Sequence, residues 1–218
     1  MRGPIHRLTA GFPRPLRIAI DWGVTIIGAV AIVLAIKAFV VNPYRIPSSS
    51  MEPTLHCAEP AQDCQARFSD RVLANRFLYH FREPERGDIV VFETPPSARA
   101  QCGAGGTFVK RIVGLPGEEI NVSGEGLVTI DGRRLEESYV EPGRRGGQSG
   151  RWRAKQGQYF MLGDNRRQSC DSRIWGPLEE SNIIGEVFAI YWPPQRIGIA
   201  AILVVAGLLP LRRFRRRI

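Results

Sequence analysis

The sequence predicts a mainly β protein: a membrane-anchored β-sheet domain between an N-terminal transmembrane helix and a second, C-terminal one. Three observations predict it. The interior of the chain, residues 42–195, breaks into short runs rich in Val, Ile and Phe, each bounded by Gly or Pro, as strands are. No stretch within it keeps a helical period long enough for a core helix. The two long apolar runs lie outside it, one toward each end, and arginines crowd beside both.

Taken in order, residues 1–17 form a basic N-terminus with Arg2, Arg7, Arg14 and Arg17 and no acid. Residues 18–41 read IAIDWGVTIIGAVAIVLAIKAFVV. As a helix these 24 residues reach about 36 Å, enough for a hydrocarbon core of about 30 Å. Asp21 and Lys37 stand near its ends, within reach of the interface. The run exceeds a usual signal-peptide apolar region, and the bulky FVVNPY after it offers no small-x-small cleavage site, so a retained anchor is expected.

In the outer domain the expected strands lie in RVLANRF, GDIVVFE, TFVKRIVG, GLVTI and EVFAIYW. Asp131-Gly132 between two extended runs signals a hairpin. Residues 141–156, EPGRRGGQSGRWRAKQ, read as a flexible surface loop. Residues 196–211 hold the second apolar run, IGIAAILVVAGLL, preceded by an interfacial Tyr191-Trp192 pair and short for a span. Residues 212–218 form a cytoplasmic tail with five arginines. The positive-inside rule then puts both termini in the cytoplasm and residues 42–195 outside, so the lipid bilayer is a partner.

The net charge of +9 suggests nucleic acid at first. The nine arginines of the two ends account for all of it, and the body is neutral, so no nucleic-acid partner is expected. An exported domain permits disulfides. Cys57 and Cys64, close together in HCAEPAQDC, are expected to pair; the sequence leaves open whether Cys102 and Cys170 do.

Candidate chemistry is sparse. His6 falls on the cytoplasmic side, and His56 and His80 sit in no supporting motif for a serine triad. Lysine occurs only at Lys37, Lys110 and Lys155. In a strand, Phe108, Lys110 and Ile112 share one face. Burial there disfavours the ammonium form, and a neutral lysine can take a proton from a serine as arginine cannot. The alternative is a lysine whose stem packs and whose amine reaches water. A third element, GDNRRQSCDSR (163–173), packs acids, arginines and serines densely enough for an internal polar network.

In this order, IPSSSMEPTL (46–55), DRVLANRF (70–77), RGDIVVF (86–92), FVKRIVGLPGE (108–118) and GDNRRQSCDSRIWGPL (163–178) resemble the type I signal peptidases, membrane-bound Ser–Lys proteases of the leader peptidase family. The resemblance implies that Ser50, directly before methionine, is the nucleophile and Lys110 the general base. It implies an oxyanion hole from the Ser48 hydroxyl and the Ser50 N–H. Ser169 would orient the lysine, and Asp164, Asp171, Arg173 and Arg111 would brace the site. Arg167 and Gln168 depart from the commoner Asp-Asn pair of the family. No metal or cofactor is implied. Substrates would be exported precursor proteins cleaved after small-x-small signals, with Tyr44, Ile46, Leu55 and Val109 lining the pocket. A processing protease with narrower clients, or an inactive precursor-binding protein, is compatible with the same residues.

Overall fold

The computed structural model describes residues 13–39, 41–103 and 105–199. Helix α1 spans Arg14–Phe39. Within it, Arg14–Leu34 has a mean hydropathy of 1.9 and is long and apolar enough to cross a membrane. Trp22, Ile27 and Ile32 are exposed on it, as lipid-facing side chains are. The chain divides after Val41, and α1 and the unit that follows are two separate compact bodies.

The second unit is built on two sheets. The larger has eight strands in the order β1 (Val41–Arg45), β2 (Arg71–Asn75), β11 (Ile183–Trp192), β3 (Ile89–Glu93), β4 (Thr107–Gly114), β9 (Gln158–Leu162) and β10 (Leu178–Glu179), with β12 (Gly198–Ile199) on β11. The smaller has the order β7 (Arg133–Arg134), β6 (Val128–Ile130), β5 (Glu119–Val122) and β8 (Gly150–Arg153). The five expected strand runs each hold one of these strands. Asp131 and Gly132 both take positive φ, 47° and 79°, and turn β6 into β7. Such a turn matches the twist of its strands, and Asp and Gly tolerate that backbone. Two short helices, α2 (Pro96–Cys102) and α3 (Ser172–Trp175), complete the unit.

Three apolar clusters hold it together. Ile46, Met51, Leu55, Val72, Ala74, Ile89, Val91, Val187 and Ile190 pack around β1, β2 and β11. Val90, Phe92, Ala98, Ile112, Tyr159, Met161, Trp175 and Leu178 fill the space between β3, β4, β9 and the two short helices. Val113, Ile120, Val122, Val128, Phe160 and Leu162 close the small sheet. Strand β4 serves more than one cluster because its alternate residues face opposite ways.

Two expectations need correction. The glycine-rich stretch 141–156 is not a loose loop: Gly150–Arg153 is a strand of the small sheet, and Arg173 Nη1 donates to the Gly146 carbonyl at 2.9 Å. Glycine content reported turns, and a long-range arginine fixed them. The second span cannot begin at residue 196, because Ile199 pairs with Ala189 and Gly198 with Ile190 in the large sheet. The remainder of that apolar run lies outside the described residues.

Candidate active site

The sequence 48–54 builds one corner. Pro47 fixes its own φ and restricts Ile46 before it, and after Ser48 the chain enters a single 3₁₀ turn, Ser49–Met51, whose ring closes from Glu52 N to Ser49 O at 3.1 Å. Ser49, Ser50 and Met51 are buried in that turn. Ser50 Oγ points at β4, where Lys110 Nζ donates to it across 2.7 Å. Ser48 Oγ lies 3.3 Å from Ser50 Oγ. Both sit on one wall of a cleft of about 430 Å³.

Lys110 is 4% exposed. Burial pulls its ammonium pKa down from 10.5 to about 8, against the pull of Asp171 and Asp164 in the other direction. The carboxylates lose that contest because each is already matched. Arg111 holds Asp164 with two bonds, Nε to Oδ1 at 2.9 Å and Nη2 to Oδ2 at 2.6 Å. Arg173 holds Asp171 likewise, Nε to Oδ1 at 2.8 Å and Nη2 to Oδ2 at 2.9 Å. Such forked pairs are the strongest hydrogen bonds a carboxylate makes. The Lys110 amine also donates to the Val109 carbonyl at 3.1 Å and stands 5.4 Å from the Phe108 ring centroid. The amine is thus dry, held, and able to exist neutral at moderately alkaline pH.

The loop 163–173 wraps this pair. Gly163 N donates to Asp171 Oδ2 at 3.1 Å, and Asp171 caps α3 by accepting from Arg173 N at 3.2 Å. Only glycine fits at position 163: a Cβ there would come under 3.0 Å from both Ser169 Oγ and the Ser50 carbonyl. Ser169 is buried at that point, but its hydroxyl makes no hydrogen bond among the described residues. It packs beside the nucleophile's backbone and is not bonded to Lys110.

Of the expected pocket residues, Tyr44, Ile46 and Val109 line the cleft, with Pro47, Met51, Thr107, Phe108 and Gln168. Leu55 does not. It is fully buried in the cluster under β1 and β2, because Leu55 N bonds the Met51 carbonyl at 2.9 Å and carries the side chain inward. Disulfides join Cys57 to Cys64 and Cys102 to Cys170. The second contributes to the cleft wall. His56 Nδ1 bonds the buried Glu52 Oε2, and His80 is exposed and lies 5.6 Å from the Phe77 ring. Among the described residues, the hydrogen bonds of Ser50 Oγ go to Lys110 and Ser48.

Sequence reasoning missed several members. Thr54 Oγ1 donates to Asp164 Oδ2 at 2.5 Å. Arg111 lies over the Tyr139 ring, 4.0 Å from its centroid. Arg166, wholly buried, is ion-paired to Glu137. Thr54 lies inside the IPSSSMEPTL block, and its position there was the available signal. Tyr139 and Glu137 come from the turn segment that follows β7 of the small sheet, and no local pattern marks them.

Residues 19–192 match the family described as signal peptidase, peptidase S26. The chain is 37% identical over 182 residues to a probable signal peptidase I-2 of Synechocystis, covering 83% of this chain and 76% of that one. It is 38% identical over 180 residues to signal peptidase I of Leptolyngbya laminosa, covering 81% of each. It is also 36% identical over 171 residues to a probable chloroplast thylakoidal processing peptidase 2 of Arabidopsis thaliana, covering 78% of this chain and 43% of that one.

Proposed function

Because the chain belongs to the signal peptidase family, peptidase S26, we propose that Ser50 and Lys110 carry out its reaction as nucleophile and general base. The protein is a serine endopeptidase, anchored in the membrane by its N-terminal helix, that removes signal peptides from precursor proteins. The observation that carries the assignment is the buried Lys110 amine 2.7 Å from Ser50 Oγ.

The steps follow from that contact. With Lys110 neutral, Ser50 gives its proton to Nζ as Oγ attacks the scissile carbonyl. The developing oxyanion is met by the Ser50 N–H and the Ser48 hydroxyl. The Lys110 ammonium then protonates the departing amine, which leaves with the mature protein. A water, deprotonated by the same amine, hydrolyses the ester on Ser50 and frees the signal peptide. Asp164, Arg111, Asp171 and Arg173 keep the surrounding loop rigid and electrically paired, and Ser169 packs against the nucleophile turn. The cleft bounded by Tyr44, Ile46 and Val109 takes the small side chains preceding the cut. Cleavage of a preprotein by the purified enzyme tests the assignment: Ser50→Ala should be folded and inactive, Lys110→Arg equally so, and activity in Ser50→Ala would remove the reading.

Residues 42–195 are proposed as an extracytoplasmic catalytic domain on the outer face of the plasma membrane, with residues 1–17 and 212–218 in the cytoplasm. The uneven placement of arginines and the two disulfides support this. The five arginines of residues 212–218 support a return span before them, but the sheet pairing of Gly198 and Ile199 rules out a start at residue 196. A reporter fused after Ile218 decides it, since activity only outside the cell refutes a return span. Similarity to the Arabidopsis thylakoidal peptidase favours a second site, a thylakoid membrane with the domain in the lumen; membrane fractionation separates the two.

A further inference from the structure

The nucleophile turn is held by its carbonyls. Asn165 N donates to the Ser50 carbonyl at 3.1 Å, and Asn165 Nδ2 donates to the Ser49 carbonyl at 3.1 Å. The two bonds come from one residue, itself 2% exposed. The Ser49 carbonyl and the Ser50 N–H belong to the same peptide unit. In a planar trans peptide these two groups point in opposite directions. Fixing the carbonyl therefore fixes the line along which the N–H points.

We propose that Asn165 is a positioning residue that aims the Ser50 N–H into the oxyanion hole by holding the Ser49 carbonyl from behind. This rests on Ser50 being the nucleophile. Glu52 N also bonds the Ser49 carbonyl, but it belongs to the same turn and moves with it. Asn165 is the anchor from outside. Its own place is fixed by Arg166, whose Nε reaches back to the Gly163 carbonyl at 3.1 Å and whose guanidinium is ion-paired to Glu137. Arg173 Nη2 closes the loop by donating to the Arg166 carbonyl at 2.6 Å. A nucleophile that needed only to be exposed would not require an amide donor on the carbonyl before it. An N–H that must meet a charge at one point in space does.

The test separates aim from folding. Asn165→Ala should lower kcat roughly 10- to 100-fold, below the full loss of an oxyanion donor because the N–H is misdirected and not deleted. KM and the pH midpoint of kcat/KM should stay at wild-type values, since Lys110 keeps its surroundings. A peptide aldehyde, which adds to a serine hydroxyl as a tetrahedral adduct, should lose affinity by the same factor as kcat/KM. Asn165→Leu, nearly the same size, uncharged and lacking the amide donor, should behave alike and serves if the alanine variant does not fold. Wild-type kcat in either folded variant overturns the proposal, and so does a kcat loss with unchanged aldehyde affinity or with a displaced pH midpoint. Ser50→Ala is the control: if it is inactive while Asn165→Ala is normal, only the aiming role falls, whereas an active Ser50→Ala removes the nucleophile assignment itself.

Discussion

Lys110 is held in the folded state against its own preference for charge. Folded, it releases its proton near pH 8; unfolded, near 10.5. Between these values the unfolded chain binds the extra proton, so stability rises with pH across that window, and below it the penalty of burial is present in full. That penalty is on the order of 3 kcal/mol. Lys110→Met should therefore be inactive yet resist denaturant better than wild type at pH 7, with the advantage shrinking by pH 10. Activity of the wild type should climb through about pH 8, the value at which the amine becomes neutral. Replacing His56 and His80 together should leave that profile where it is; a wild-type midpoint near 6.5 together with loss of activity in the folded double variant would transfer the base role to a histidine. Gly163 is the other residue with no latitude. Gly163→Ala forces either Ser169 or the Ser50 carbonyl to move, and a shift of about 1 Å at the nucleophile should lower kcat by roughly 10².

At the scale of elements, the catalytic loop 163–173 is tied to the small sheet by a buried charge pair. Glu137, just past β7, takes Arg166, accepts from Tyr139 Oη at 3.2 Å and meets Arg145 Nη1 at 3.4 Å. Removing one partner leaves a buried guanidinium uncompensated, so Glu137→Ala should destabilise the β unit by about 3–5 kcal/mol in a denaturation experiment. The two disulfides should differ. Cys57–Cys64 closes a separation of 7 residues away from the cleft, and its double serine variant should cleave substrate at a near-normal rate. Cys102–Cys170 closes 68 residues and joins the end of α2 to the neighbour of Ser169. Its loss should cost about 2–4 kcal/mol of stability and weaken kcat/KM as well, because it forms part of the cleft wall.

At the scale of the whole molecule, the sequence by itself determined the plan. Apolar length against bilayer thickness marked α1, and short Val-, Ile- and Phe-rich runs bounded by Gly or Pro marked five strands, because these signals lie within a few consecutive residues. The motif blocks marked Ser50 and Lys110 for the same reason. What tertiary structure decided is everything that depends on residues distant in sequence. It placed Lys110 Nζ on Ser50 Oγ across 60 positions and paired Arg111 with Asp164 across 53. It put Leu55 in the core although it belongs to the nucleophile block, and it drew Gly198 and Ile199 into the sheet although their composition is that of a span. It brought Glu137 to Arg166, and Asn165 to the carbonyls of Ser49 and Ser50. A hydrophobic pattern states only that a side chain avoids water. Which neighbours it meets, and whether a buried amine stays neutral, is set by the strand order and register of two sheets, which no local stretch of the chain contains.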